Sequence, residues 1–259
     1  MHPEIVRIGG LRLTFYGLAL TVSFLLGTHL AIRRAKKSEV PEDLVVWLAL
    51  VILLLAVAGS RTLYVVTHWE EFRGGFASVF KLWGGGLTMY GGVVAAIVGG
   101  IAFIRSRGYP VWSVADTIAP SLALGEGITR IGCFMNGCCF GVPTGLPWAV
   151  VFPEDSFAAA VFGMAAIHPS QLYSSALAFV VLAFLLWLDR RKRFEGQLFW
   201  SYVLTSAAAR FLVDFTRYYG DGDYLGQLGF LNFNNNQLIA LGLMLTSLIM
   251  MRTLRRRQT

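Results

Sequence analysis

Seven apolar stretches, each near the length a helix needs to cross a hydrocarbon layer, constrain this 259-residue chain more than any other feature. A bilayer core about 30 Å thick takes roughly 20 apolar residues in a helix. The runs extend from Thr14 to Ile32, Leu44 to Val66, Gly84 to Ile104, Val111 to Glu126, Leu172 to Leu188, Gln197 to Phe215 and Gln237 to Thr253. The fourth is short and holds Asp116 and Pro120, while the second and sixth carry Arg61, Arg210 and Asp214. Composition agrees: 56% of residues are hydrophobic and 14% charged, against roughly 25% charged in a soluble domain. A disordered chain is excluded and a soluble enzyme disfavoured. The first run is too long for the apolar part of a cleaved signal peptide, and six more follow it. The expected fold is an all-α polytopic membrane protein with seven transmembrane helices, a single transmembrane domain over residues 1–259.

The excess of 22 basic over 15 acidic residues is a question of placement. Counted on alternate sides of the seven spans, one side collects Arg33, Arg34, Lys36, Lys37, Arg105, Arg107, Arg190 to Arg193, Arg252 and Arg255 to Arg257. The other holds Arg7, Arg12, Arg73, Lys81, Arg130 and Arg217. Short cytoplasmic loops carry the surplus of lysine and arginine, so the N terminus is expected outside and the C terminus in the cytoplasm. Topology and contact with anionic headgroups explain the charge. No basic stretch is interleaved with base-stacking aromatics, so nucleic acid is not an expected partner.

This topology leaves two long outer segments, and loops on a rigid scaffold carry function disproportionately. Residues 67–83 contain Trp69, Glu70 and Glu71 between Thr67 and Lys81 and read as an amphipathic arm at headgroup level. Residues 127–171, rich in glycine and proline, read as a loop and small irregular head with room for two short strands around Val150. Trp69, Trp83, Trp112 and Trp148 read as interfacial anchors. Glycines at 84, 85, 86, 91, 92, 99 and 100 suit close helix approach.

Ionisable residues at membrane depth are costly and usually face the bundle interior. Arg210 and Asp214 are four apart, and so are Glu126 and Arg130 if the fourth helix continues through them. Two self-neutralising ion pairs are one reading. The other notes that Tyr16, Arg130, Arg210 and Arg217 all fall toward the outer ends of their spans. A guanidinium fork there matches a phospholipid phosphate, which it binds bidentately at any relevant pH.

The segment Arg130-Ile131-Gly132-Cys133-Phe134-Met135-Asn136-Gly137-Cys138-Cys139-Phe140-Gly141 resembles the signature of bacterial prolipoprotein diacylglyceryl transferases, GRxGNFxNxExxG. Phe15-Tyr16-Gly17, Gly85 to Gly92, Pro147 to Pro153, His168-Pro169-Ser170-Gln171-Leu172-Tyr173 and Ala209 to Asp214 are similar to further family segments, in the same order along the whole chain. The resemblance implies an enzyme of the bacterial inner membrane, with its site toward the outer leaflet. It would move a diacylglyceryl group from phosphatidylglycerol to the lipobox cysteine of a prolipoprotein signal peptide and release glycerol phosphate. No cofactor and no metal is implied. The family's essential tyrosine and arginine carry over onto Tyr16 and Arg130, and its second arginine onto Arg210, with Asp214 orienting Arg210. Asn136, Gly141, Gln171 and Tyr173 stand with the arginines as substrate-binding positions.

Three departures from the family pattern stand out. Thr129 takes the place of the glycine before the arginine, Cys133 and Cys138 replace the asparagine and glutamate, and Tyr90 stands where some members carry a histidine proposed as base. A tyrosine of pKa about 10 is a poor base for a thiol of pKa about 8.5. The arginine field is expected to depress the incoming thiol's pKa, leaving Tyr90 to bind lipid oxygens. His168 is open between a proton acceptor and a structural residue. The cysteines read as small packing residues, since three sulfurs fall short of the usual four metal ligands; a disulfide on an oxidising outer side is the alternative. Three other functional readings remain at this point: a paralogue acting on another thiol, a small-solute transporter with an intramembrane charge relay, and a membrane thiol-redox protein built on the three cysteines.

Overall fold

The computed structural model describes residues 4–8, 11–72, 76–80, 85–220, 224–228 and 231–258. Arg73, Lys81, Trp83 and Gly84, named above, lie outside the described residues. In chain order the elements are β1 (Glu4–Ile8), β2 (Leu11–Thr14), α1 (Phe15–Ala35), α2 (Glu42–Thr67), α3 (Trp69–Phe72), a 3-10 turn (Phe76–Phe80), α4 (Met89–Ser106), α5 (Val111–Asn136), α6 (Phe157–Phe162), α7 (Ser170–Asp189), α8 (Gln197–Val213), β3 (Tyr224–Leu228), β4 (Leu231–Asn234) and α9 (Asn235–Gln258).

Helices α1, α2, α4, α7 and α9 are long and apolar enough to cross a membrane. Their surfaces fit that solvent: Leu54 is 69% exposed, Val98 63% and Leu245 62%, apolar area that water would penalise and lipid accepts. Charge placement supports the helix ends, with Glu42 and Asp43 in the first turn of α2, Arg33 and Arg34 in the last turn of α1 and Arg255 to Arg257 in that of α9, each opposite the local end of the helix dipole. Helix α5 runs through Pro120, although proline removes one backbone donor from the ladder. Residues 127–136, expected as the start of the outer loop, are its last turns. The sequence pattern breaks at Glu126 because two charges enter there, yet each has a partner, so the helix continues.

Two hairpins were not anticipated. Strands β1 and β2 pair antiparallel with a bulge between Glu4 and Val6, and β3 and β4 pair in the same manner with a bulge between Tyr224 and Gly226. Each runs without a loop into a long helix, α1 or α9. The segment after α2 holds the short α3 and the 3-10 turn.

The chain divides into two compact units, residues 32–117 and residues 1–31 with 118–259. In the first, α2 and α4 pack along glycines: a Cβ on Gly91 would strike the Gly59 carbonyl, and one on Gly92 the Ser60 hydroxyl. Thr88 N–H donates to the Ser60 carbonyl at 3.1 Å, and Arg61 donates to the carbonyls of Ser78, Val79, Gly85 and Gly86 at 2.7–3.0 Å. In the second unit Ala123 of α5 packs with Val181 and Leu185 of α7. Its head is built on Phe140, Phe152, Ala158 and Ile167. Bridges from Gly141 to Arg217, and from Pro143 and Val150 to Ile167, hold the head together.

Candidate functional site

Small residues on α5 let its neighbours approach. On one side a Cβ added to Gly132 would meet Ala19 and lie 3.5 Å from the Tyr16 Cα. The Ser23 hydroxyl bonds to the Gly125 carbonyl and to the Thr129 hydroxyl, both at 3.1 Å. Thr129, a departure from the family pattern, is thus a polar tie along the α1–α5 seam. On the other side the buried Ser175 hydroxyl donates to the Gly127 carbonyl at 2.8 Å.

These seams fix one face of α5, from which Glu126 and Arg130 project. The Arg130 guanidinium stands 4.0 Å from the Glu126 carboxylate, and the Tyr202 hydroxyl of α8 reaches that carboxylate at 3.5 Å. One turn from the end of α8, Arg210 Nε meets the two oxygens of Asp214 at 2.9 and 3.1 Å. Its Nη2 donates to the Tyr219 hydroxyl at 2.7 Å, and that hydroxyl donates to Asp214 at 2.6 Å. Asp214 is buried, and this closed triangle sets the plane of the Arg210 fork. Burial raises the Tyr219 hydroxyl above the ordinary tyrosine range against the pull of Arg217 and Arg210, so it stays protonated as the donor the triangle needs.

Both arginines line one cleft. Glu126 and Arg130 of α5, Ser174 of α7, and Ser206 and Arg210 of α8 line it, with Ala178, Val181, Ala209 and Val213 between them.

The remaining second-unit candidates gather in the head. Gly141 N–H donates to the His168 carbonyl at 3.1 Å, with no room for a side chain at Gly141. Gln171, buried, donates to the Cys138 carbonyl at 2.7 Å. The Tyr173 hydroxyl takes the Trp148 indole N–H at 2.7 Å and contacts His168 Nδ1 at 3.3 Å. Burial lowers the His168 pKa below the ordinary histidine value. Asn136, the last residue of α5, lines a separate hollow with Gly137, Phe152 and Ser156. Tyr16 lies within electrostatic reach of Arg130 and the three cysteines. Tyr90, 61% exposed in the first turn of α4, belongs to the 32–117 unit.

The neighbouring Cys133 and Cys138 thiols, and then Arg217 and Arg130, hold the Cys139 thiol below the ordinary thiol range against the opposing effect of burial, while Cys133 and Cys138 are themselves raised. Sequence reasoning did not single out Tyr202 and Tyr219. A tyrosine five residues past a helical Arg-x3-Asp pair was the available signal for Tyr219; no local pattern marks Tyr202, whose partner lies 76 residues away.

The fold and cleft define a mostly helical, multi-pass membrane protein with Glu126, Arg130 and Arg210 around one cleft. Residues 3–253 match the model of the family described as prolipoprotein diacylglyceryl transferase, and the chain belongs to that family. It is similar to the phosphatidylglycerol–prolipoprotein diacylglyceryl transferase of Clostridium tetani, 31% identical over 241 residues and covering 93% of each chain. The enzyme of that name from Gloeobacter violaceus is 34% identical over 219 residues, 82% of this chain and 80% of the relative. That from Thermosynechococcus vestitus is 31% identical over 239 residues, 92% of this chain and 88% of the relative.

Proposed function

We propose that this chain transfers the diacylglyceryl group of phosphatidylglycerol to the lipobox cysteine thiol of a prolipoprotein, the first step of lipoprotein maturation. The observation that carries the reading is that Arg130 and Arg210 line one cleft. In the reaction the thiol sulfur attacks the glycerol carbon. The C–S bond forms as the C–O bond to phosphate breaks, the electron pair leaves with the phosphate oxygen, and the thiol proton passes to a base.

The two guanidinium groups hold the phosphodiester and stabilise the second charge that grows on it as the bond breaks, an electrostatic role fixed before reaction. They also favour the thiolate over the thiol. Asp214 and Tyr219 act through Arg210 as positioning residues. Tyr16 and Asn136 bind the lipid near the end of α5, Gly141 keeps the segment after α5 against His168, and Gln171 and Tyr173 hold the entrance of α7. Tyr90 binds lipid oxygens. His168 receives the proton: in the tautomer this requires, Nδ1–H donates to the Tyr173 oxygen and Nε2 carries the lone pair. Its lowered pKa keeps it neutral at physiological pH.

The finer architecture follows the same reading. Helices α5 and α8 join the five apolar helices as spans, giving seven, with the N terminus and the 137–169 head outside and the basic clusters in the cytoplasm. The enzyme then sits in the bacterial inner membrane with its cleft toward the outer leaflet. Incubating purified protein with phosphatidylglycerol and a lipobox peptide tests the proposal. A diacylglyceryl thioether should appear by mass spectrometry; folded protein that leaves the peptide mass unchanged refutes it.

A further inference from the structure

The sulfurs of Cys133, Cys138 and Cys139 lie within 4.8 Å of one another. On a continuing helix, residues five apart point about 140° from each other, so the spacing alone does not bring them together. The end of α5 does. Gly137, at φ 71°, closes the helix; its N–H donates to the Phe134 carbonyl and that of Cys138 to the Cys133 carbonyl, the paired bonds of a Schellman cap. Cys138 is thereby folded back over Cys133. Cys139 follows at φ 61°, a left-handed conformation uncommon outside glycine, and the third sulfur joins the first two.

An ion equidistant from three sulfurs spaced at that limit sits about 2.8 Å from each. A closing movement of about 0.5 Å brings it to the ~2.3 Å of a thiolate bound to a d10 ion. We propose that Cys133, Cys138 and Cys139 form a binding site for a soft monovalent cation, copper(I), held by three thiolates. Thiolate sulfur selects soft ions. Zinc closes its structural sites with four ligands, whereas copper(I) is satisfied by three, and among the described residues no histidine or carboxylate joins these sulfurs. The four-ligand rule that disfavours a metal at three sulfurs does not apply to this ion.

Charge favours the same occupant. Three thiolates with one monovalent cation carry two negative charges, and Arg217 and Arg130 pull electrostatically on the Cys139 sulfur. A disulfide is neutral and leaves these guanidiniums nothing to offset. Binding changes no oxidation state: each S–H proton leaves to solvent as a Cu–S bond forms. The bound ion ties the last turn of α5 to the loop that Gln171 already holds through the Cys138 carbonyl.

The test is an anaerobic titration of the reduced, detergent-solubilised full chain with copper(I) against a chromophoric copper(I) chelator, with zinc(II) in a parallel arm. One copper per chain should be retained, with near-ultraviolet thiolate-to-metal absorption and all three thiols protected from alkylation. Cys133→Ser, Cys138→Ser and Cys139→Ser should each weaken binding by about a hundredfold or more, since loss of a supporting group alone costs 10–100-fold. Should the serine variants misfold by circular dichroism, alkylated wild-type chain with intact helicity supplies the comparison and should bind none. Copper bound no more tightly than by the alkylated chain, zinc retained in preference, or a Cys133 disulfide trapped by acid quench and alkylation of membranes would each overturn the proposal.

Discussion

Arg210 shows how a single side chain is made useful by its neighbours. Guanidinium groups never lose their charge, so what the fold must supply is direction, and Asp214 with Tyr219 supplies it. Substituting Arg210 or Arg130 by alanine should lower turnover by about a hundredfold or more, the scale seen when a fixed donor is removed. Lysine should restore little of it, lacking the planar fork. Tyr219→Phe should cost less and act mainly on kcat, because it frees the fork without removing the charge; an unchanged kcat would show that the triangle does not position Arg210. His168 makes a pH prediction. As a proton acceptor it must be neutral, and its folded pKa lies below the ordinary value near 6.5. The rate should therefore hold as pH falls to 6.5 and decline only on further acidification through the lowered pKa. His168→Gln should remove that acid limb along with a factor of about 10² to 10⁴ in rate; an acid limb that survives the substitution assigns the proton to another group.

At the scale of elements, glycine seams decide which helices meet. A Cβ at Gly91 collides with Gly59 backbone, so Gly91→Val should destabilise the α2–α4 pair by about 1–3 kcal/mol, read as a lower thermal midpoint in detergent. Thr129→Val removes a single interhelical hydroxyl contact with Ser23 and should cost near 0.6 kcal/mol, the average for such bonds between membrane helices. The α2–α4 seam was partly legible beforehand, whereas the α1–α5 tie of Ser23 to Thr129 was not. The runs of Gly91, Gly92, Gly99 and Gly100 announce close approach, and apolar length alone marks the five long spans. The continuation of α5 past Glu126 was not legible, because a hydropathy pattern cannot show that Glu126 finds Arg130 and Tyr202. The hairpins escaped because their strands are four or five residues long and Gly9-Gly10 or Gly229-Phe230 between them reads equally as a loop. In the site, Arg-x3-Asp spacing on one helix was visible, whereas the meeting of α5 and α8 across the cleft depends on packing between distant segments.

For the whole molecule, orientation is the property that chemistry at one leaflet demands. With native cysteines replaced, single probes at Ser38 and Gln258 should label only from the cytoplasm, and one at Ser78 only from outside. External labelling of Ser38 would invert the topology and carry the cleft to the other leaflet. Arg61 adds a different kind of constraint. It collects four uncharged carbonyl oxygens from the segment around the 3-10 turn, and a guanidinium has no accessible deprotonation. Acid that discharges a carboxylate contact such as Lys36 with Glu42, exposed and 3.4 Å apart, leaves these four carbonyl contacts in place, because neither the guanidinium nor a backbone carbonyl titrates in that range. That part of the segment's attachment is set by geometry, and a change of pH alone does not undo it.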